Sequence, residues 1–303
     1  MEKEITSVLG YFSFFKYYPN FDEIYTFLSK KTSKTALKRA LLNLERQNKI
    51  KKVILNENDI KYTLVEYSSP SLVIPRSKAT RDLAKRVLIS KNKLKNWKFK
   101  AYVKLISLFP QIRLIGLSGS ISMMNADLDD DIDLFIITSK NRLFTSRFLA
   151  LLTAYIIGLK RGIGQYKAPN KVCLNLFFDE SNLQVPKRKM TEFVGHEVLQ
   201  MKPIVIKGDI YEKFLEANSW VFRLFPNAAL VFSIKYPVSS IKKILNTKCF
   251  ILDTVGDWIE SKLKKLQLQL INKHKTTELI TDSQLWFHPD DFEKKLTKKF
   301  TSP

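Results

Sequence analysis

Hydrophobic residues in the first third of the chain recur at intervals of three and four, the spacing of a single buried helical face. Leu37 and Leu41 show this spacing in a segment that Ser33 can cap, and Asn20 can cap the shorter helix before it. Two β-rich runs follow, KKVILN and IKYTLVE, joined by a short polar turn. The pattern predicts three helices and a β-hairpin over residues 1–67.

That order of three helices and a hairpin resembles winged-helix domains. The resemblance implies that the helix after Ser33 enters the major groove of DNA. A dimerisation or docking module with an ordinary solvated helix face accounts for the same pattern equally well. Both roles therefore stay open for residues 1–67.

Residues 68–100 combine a predicted linker with a basic helix. The run SSPSLVIPRS contains Pro70, Pro75 and four serines, which is typical of a boundary between domains. From 76 to 113 the chain carries twelve basic residues against one acid, Asp82, interleaved with apolar positions at helical spacing. Such a segment presents a basic face that is either a track for nucleic-acid phosphates or a plainly solvated surface.

The charge of the whole chain also favours polyanionic partners. Among 303 residues, 51 Lys and Arg stand against 29 Asp and Glu, which gives a net charge of +22. Hydrophobic residues make up 45% of the chain, a proportion that excludes a disordered basic tail. RNA or DNA is the first expected partner, and nucleotide phosphates are the second.

The cysteines and the longest apolar run indicate the expected cellular location of the protein. Cys173 and Cys249 both lie in apolar runs, so a disulfide scaffold and a Cys-rich zinc site are excluded, and a cytoplasmic location is expected. The N-terminus lacks the order of a secretory signal. The apolar run 148–159 is shorter than the roughly 20 residues of a membrane-spanning helix, so we expect a buried helix and no membrane association.

The candidate chemistry lies between 112 and 138, where the chain reads IRLIGLSGSISMMNADLDDDIDLFIIT. Gly119 allows a phosphate to approach the backbone closely, and Ser120 offers an N–H and a hydroxyl where a helix can begin. Asp131 and Asp133 are separated by one residue at the start of an apolar strand, so both point to the same face. Paired carboxylates of this kind hold Mg²⁺ together with substrate phosphates.

The Gly-Ser turn, followed eleven positions on by Asp-Ile-Asp between two strands, resembles the nucleotidyltransferase superfamily of DNA polymerase beta. The longer pattern is similar to uncharacterised prokaryotic proteins with a nucleotidyltransferase domain. The resemblance covers 114 to about 180 and implies that Asp131 and Asp133 coordinate Mg²⁺ or Mn²⁺. It also implies that Gly119 and Ser120 hold the triphosphate of an incoming nucleotide.

The chain departs from the family at the third carboxylate, because Asn175 stands in the run VCLNLFF where Asp or Glu is expected. An amide is a weaker, neutral ligand. Reduced activity, a different base and nucleotide binding without turnover are the three interpretations. Asp179 and Glu180 follow on the same run, and either is a candidate substitute.

Two arginines and one histidine have alternative interpretations. Arg142 and Arg147 lie in the first turns of the helix after the second strand, where they either contact a triphosphate or anchor the helix through structural hydrogen bonds. His196 is followed by Glu197, but Gln200 stands where a zinc metalloprotease needs its second histidine, so that motif is absent. A buried, hydrogen-bonded histidine is favoured over a nucleotide contact.

The sequence predicts an α+β protein. A mixed-sheet nucleotidyltransferase core flanked by helices is expected at 101–208, after the winged-helix-like domain, and a C-terminal helical extension at 209–303. The expected activity is metal-dependent transfer of a nucleoside monophosphate from a nucleoside triphosphate to a hydroxyl, on RNA or another nucleic acid. The alternative is a nucleic-acid-binding regulator whose degenerate transferase fold senses nucleotides. The base, the acceptor and the oligomeric state stay open.

Overall fold

A computed structural model of the chain describes residues 1–56, 59–65, 76–162, 167–235, 250–273 and 276–287. The helices in these ranges are α1 (Glu2–Phe14), α2 (Phe21–Phe27), α3 (Lys34–Arg46), α4 (Arg76–Lys95), α5 (Trp97–Leu108), α6 (Gly119–Ser122), α7 (Leu143–Ile157), α8 (Glu192–Gln200), α9 (Ile210–Ala217), α10 (Trp220–Leu224), α11 (Ala228–Lys235) and α12 (Phe250–Asn272). The strands are β1 (Ile50–Asn56), β2 (Asp59–Leu64), β3 (Ile112–Leu117), β4 (Ile132–Thr138), β5 (Val172–Asp179), β6 (Lys202–Ile206), β7 (Leu279–Ile280) and β8 (Gln284–Trp286). The predicted α+β class is confirmed.

The chain divides into two compact units. The first unit comprises Met1–Leu88 and Ser219–Pro237, and the second comprises Ile89–Asn218 and Val238–Pro303. These divisions differ from the predicted boundaries at 67, 100 and 208, and a segment from the C-terminal third folds with the N-terminal helices.

The first unit contains the predicted three helices and hairpin. Asn20 caps α2 by accepting the Glu23 backbone N–H at 2.8 Å, while Glu23 accepts the Asn20 N–H at 2.7 Å. Ser33 caps α3 through the N–H of Ala36 at 3.1 Å. Strands β1 and β2 pair antiparallel, with Ile50 opposite Leu64. Residues 57 and 58 of the predicted turn, and 68–75 of the predicted linker, lie outside the described residues.

Helices α10 and α11 complete this unit, although the sequence predicts one helical region over 209–303. Phe225 packs edge-on against Phe27 with ring centroids 5.2 Å apart. The buried side chain of Asn227 accepts the N–H of Thr32 at 2.9 Å and donates to the carbonyl of Lys30 at 2.9 Å. The predicted C-terminal region is therefore divided between the two units.

The second unit is built on a six-stranded mixed sheet in the order β6-β3-β4-β5-β8-β7. Strands β4 and β5 are parallel, and the other neighbouring pairs are antiparallel. On one face, Leu134 and Ile136 belong to a buried cluster with residues of α5 and α7. On the other face, Phe135 packs against Phe178 and against Phe214 of α9. Both faces of the central strands are covered, which explains their continuous hydrophobic runs.

The C-terminal part of this unit is only partly helical. Helix α12 lies within the predicted helical extension, but β8 then adds a strand to the sheet, with Trp286 opposite Leu176 of β5. A short polar-apolar run gives too weak a signal for a strand, and β8 is stabilised by the sheet edge it pairs with. Residues 288–303 of the predicted helical extension lie outside the described residues. Among the helices of the described ranges, none has both the length and the apolar character needed to cross a membrane.

Candidate functional site

The turn after β3 forms one wall of the site. Gly119 begins the short helix α6 with φ of +58°, a left-handed conformation that favours glycine. A Cβ atom placed there would lie 2.5 Å from Oδ2 of Asp133, so only a residue without a side chain fits. Gly119 therefore brings its backbone directly against the carboxylate that the sequence singled out.

The two predicted carboxylates share a face of the sheet. Asp131 directly precedes β4 and Asp133 is its second residue, and both are half-buried, whereas Ile132 between them is fully buried in the core. In the parallel pairing of β4 with β5, Asp133 lies opposite Cys173. One ligand atom each from Asp131, Asp133 and Cys173 lies within 4.8 Å of the others.

Asn175 lies at the position where the family resemblance implies a third acid. It is two residues beyond Cys173 on β5 and therefore on the same face. Its Nδ2 donates a hydrogen bond to Oδ1 of Asp133 at 2.5 Å. Its Oδ1 accepts a hydrogen bond from the Cys173 thiol at 2.7 Å. Asn175 thus contacts the metal-ligand candidate Asp133 as a neutral donor.

Arg161 belongs to the site, although the sequence drew no attention to it. Its Nη1 donates to Oδ2 of Asp131 at 2.6 Å and to Sγ of Cys173 at 3.2 Å. An isolated bridge between Lys160 and Val172 places the loop after α7 beside the start of β5, which sets Arg161 next to Cys173. No local sequence pattern predicts the contact of Arg161 with Asp131 and Cys173, because this contact depends on where the loop after α7 returns to the sheet.

Glu197 is a third carboxylate at the site, and it comes from α8 rather than from a strand. It accepts a hydrogen bond from the backbone of Gly119, and its charge acts on Asp133. Burial raises the pKa of Glu197 to about 7. Sequence reasoning considered this residue only as part of a metalloprotease motif, and its helical context gave no sign that α8 would approach the Gly119 turn.

The carboxylates of the site lie in an environment that disfavours charge. Burial, followed by the negative charges of Asp131 and Glu197, raises the pKa of Asp133 to about 8, and the nearby Arg161 opposes this shift. Burial and the charges of Asp133 and Asp131 also raise the pKa of the Cys173 thiol. The thiol is therefore neutral, in agreement with its role as a donor to Asn175.

The acidic loop between α6 and β4 is held by its own contacts. Ser120 Oγ donates to Oδ2 of Asp130 at 3.0 Å, so the Ser120 hydroxyl takes part in loop structure. Lys93 of α4 is 3% exposed, and its Nζ donates to the carbonyls of Leu128 at 3.0 Å and Asp130 at 2.6 Å. Lys93 therefore orders this loop, whereas the sequence grouped it with a basic face.

Arg142 and Arg147 both contact α12. Arg142 Nη1 pairs with Asp257 at 2.5 Å, and a Cβ on Gly256 would collide with its guanidinium. Arg147 Nη1 donates to Oε1 of Gln267 at 2.6 Å, and its guanidinium lies over the Phe287 ring at 4.8 Å. These contacts favour the anchoring interpretation of the two arginines.

Asp179 and Glu180 do not substitute for Asn175. Asp179 ends β5, four residues beyond Asn175, which is about 13 Å along a strand. Its buried carboxylate accepts the N–H of Asn141 at 2.7 Å and that of Ser181 at 2.8 Å, so it organises the loops at that end of the sheet. Glu180 pairs with Arg113 at 3.3 Å.

His196 is buried and 1% exposed, as favoured by the sequence. Its Nδ1 lies 3.4 Å from Nε2 of Gln200, one turn further along α8. Burial holds the pKa of the imidazole well below its usual range, so the ring is neutral at physiological pH.

The donor set at the site fits one hard divalent cation. Asp131 and Asp133 supply carboxylate oxygens on one face, and Mg²⁺ binds proteins through one or two carboxylates while keeping positions for phosphates and water. The neutral thiol of Cys173 is a poor ligand for such an ion. Asp131 and Asp133 are therefore the residues that would hold Mg²⁺ or Mn²⁺.

Comparison with known proteins identifies no relative, since no family model, no curated protein and no solved structure matches the chain.

Proposed function

We propose that the protein is a metal-dependent nucleotidyltransferase. The observation that carries the proposal is the convergence of Asp131 and Asp133 on one face of the sheet, with Asp133 directly against the backbone of Gly119. The two carboxylates lie beside a backbone turn that has no room for a side chain. Such an arrangement suits a metal-bound triphosphate. The resemblance to the polymerase beta superfamily rests on the same residues and predicts the same roles.

The roles of the residues follow from their chemistry. Asp131 and Asp133 would hold Mg²⁺ or Mn²⁺, which neutralises phosphate charge when bound. Gly119 and Ser120 would lie along the triphosphate. The acceptor hydroxyl attacks the α-phosphorus, the bond to pyrophosphate breaks, and the hydroxyl proton passes to a carboxylate. Glu197, whose pKa is raised to about 7 by burial, is suited to receive it in place of the missing third acid.

A nucleic acid is the proposed acceptor. Helix α5 and the preceding end of α4 present exposed lysines, among them Lys91, Lys95, Lys98, Lys100 and Lys104. Lysines of this density bind phosphate backbones without reading sequence. The three helices and hairpin of the first unit resemble a winged helix, and we assign them to docking on the same polymer.

The test is label transfer from each α-labelled nucleoside triphosphate to pooled RNA or DNA, with Mg²⁺ or Mn²⁺. Asp131→Asn and Asp133→Asn are expected to abolish transfer, since each replaces a carboxylate metal ligand by a neutral amide without changing side-chain size. Asp282→Asn is the matched control, because Asp282 is 83% exposed and pairs only at the surface with Lys264. Transfer that survives both site substitutions would overturn the proposal.

A second candidate function is a nucleic-acid-binding regulator that binds nucleotides without turnover. The favouring observation is that each metal-ligand candidate already has a protein partner: Arg161 for Asp131 and Asn175 for Asp133. This function predicts salt-sensitive nucleic-acid binding that Asp131→Asn leaves unchanged, together with no label transfer by the wild-type protein.

A further inference from the structure

The ion pair between Arg161 and Asp131 occupies one carboxylate oxygen of a proposed metal ligand. Nη1 of Arg161 lies 2.6 Å from Oδ2 of Asp131, whose side chain is 17% exposed, while the Arg161 side chain is 35% exposed. The aspartate is therefore the more buried partner of the pair. The pair is partly shielded from water, which makes it stronger than an exposed one.

A divalent cation and the guanidinium compete for Asp131. An ion coordinated by Asp131 and Asp133 would lie within a few ångströms of Nη1, and two cations at that separation repel each other. Nη1 of Arg161 also donates to Sγ of Cys173, a thiol that burial keeps neutral. Repulsion by the bound ion therefore weakens the pair between Arg161 and Asp131 and favours a contact of Arg161 with another anion.

A nucleoside triphosphate supplies that anion beside the same carboxylates. Its phosphate oxygens match the fork of a guanidinium, which binds phosphate with two parallel hydrogen bonds. We infer that Arg161 exchanges Asp131 for a nucleotide phosphate when the metal–nucleotide complex enters. Arg161 thereby weakens binding of the metal alone and strengthens binding of the metal with its nucleotide. The inference rests on the proposed function and names a regulation of that site.

The exchange predicts opposite effects of one substitution on two affinities. In Arg161→Gln, Mn²⁺ alone is expected to bind at least about fivefold more tightly than in the wild type, because Asp131 is released. The complexes of Mn²⁺ with the four α,β-methylene nucleoside triphosphates, tested in turn, are expected to bind at least about fivefold more weakly. A residue with a purely structural role would not improve one affinity while impairing the other.

The measurements use the full chain and two comparison variants. Mn²⁺ affinity is read from the loss of the free-ion paramagnetic resonance signal, and complex affinity from equilibrium dialysis of labelled nucleotide. Lys160→Gln removes the same charge from the neighbouring residue, whose ammonium lies over the Tyr155 ring, and is expected to change neither affinity. Arg161→Lys keeps the charge and is expected to resemble the wild type more closely than Arg161→Gln in binding Mn²⁺.

The outcomes separate this inference from the proposed function. Equal or weaker binding of Mn²⁺ by Arg161→Gln, or unchanged binding of the complexes, would overturn the inference while the activity stands. A wild-type protein that binds neither Mn²⁺ nor any complex would overturn the proposed function and the inference together. Should Arg161→Gln fail to fold, as read by circular dichroism, Arg161→Lys decides the point: complex affinity equal to that of the wild type would overturn the need for a guanidinium fork.

Discussion

Gly119 and Asp133 fit against each other without room for a methyl group, since a Cβ on the glycine would lie 2.5 Å from the aspartate Oδ2. The contact joins the turn after β3 to the carboxylate on β4. It makes the geometry of the site depend on one residue that carries no functional group.

Gly119→Ala is therefore expected to impair both stability and metal binding. The substitution forces alanine to adopt a φ of +58° and displaces the Asp133 carboxylate. We expect a loss of about 2–4 kcal/mol in the free energy of unfolding and a weaker affinity for Mn²⁺.

Gly158→Ala is the matched control, because Gly158 has φ of +75° with nothing within 4 Å of the added Cβ. It should cost about 1–2 kcal/mol and leave Mn²⁺ affinity unchanged. Equal metal affinity in the two variants would contradict the assignment.

Asn175→Asp is expected to destabilise the metal-free protein and to increase its response to metal. The new carboxylate replaces a donor to Asp133 by an acceptor, which costs about 1–3 kcal/mol in the free energy of unfolding. A divalent ion relieves the repulsion, so the rise in melting temperature on adding Mn²⁺ should be larger than in the wild type.

Asn182→Asp provides the comparison, because it makes the same change at an exposed loop residue whose side chain bonds Ser283. In Asn182→Asp, the rise in melting temperature on adding Mn²⁺ should equal that of the wild type. A smaller metal response in Asn175→Asp than in the wild type would mean that position 175 does not face the ion.

His196 predicts a pH dependence of stability. Burial lowers the pKa of the folded imidazole well below its usual range, so the unfolded state takes up a proton that the folded state does not. The stabilisation is complete above the unfolded pKa of about 6.5 and is lost as the pH falls below it, at up to about 1.4 kcal/mol per pH unit.

The difference between the wild type and His196→Gln isolates this contribution, since Asp133 and Glu197 titrate in both proteins. Chemical denaturation at pH 8 and at pH 5.5 should show a difference in unfolding free energy that narrows towards low pH. A difference that stays constant over this range would show that the pKa of the imidazole is the same in the folded and the unfolded state.

Glu260 is expected to fasten α12 to the start of α7. Its carboxylate is 9% exposed and accepts the N–H groups of Phe144 and Thr145, both at 2.7 Å. A negative charge at a helix N-terminus also interacts favourably with the helix dipole. Glu260→Gln should therefore lower the free energy of unfolding by about 1–3 kcal/mol.

Asp257→Asn is the control on the same helix. Asp257 is 60% exposed where it pairs with Arg142, so its loss should cost less than about 1 kcal/mol in chemical denaturation. An equal loss of unfolding free energy in the two variants would show that the buried contacts of Glu260 contribute no more to stability than the exposed pair of Asp257.

Part of this architecture is determined by short stretches of the sequence. The caps at Asn20 and Ser33 act within three residues, and the apolar stripe of α3 needs only the spacing of its leucines. The period of two along a strand suffices to place Asp131 and Asp133 on one face before any partner strand is known. These features are local, so the chain specifies them wherever the segment packs.

The rest was decided by tertiary structure. Arg161 reaches Asp131 because the loop after α7 forms a bridge to Val172, and Glu197 reaches Gly119 because α8 packs beside the turn. The strand β8 exists through its pairing with β5. Distant segments contact the site according to how they bury their apolar faces against one another. The periodicity within a single segment carries no information about these contacts. The paired carboxylates and the glycine turn therefore follow from local sequence, whereas long-range packing sets which charged partners surround them.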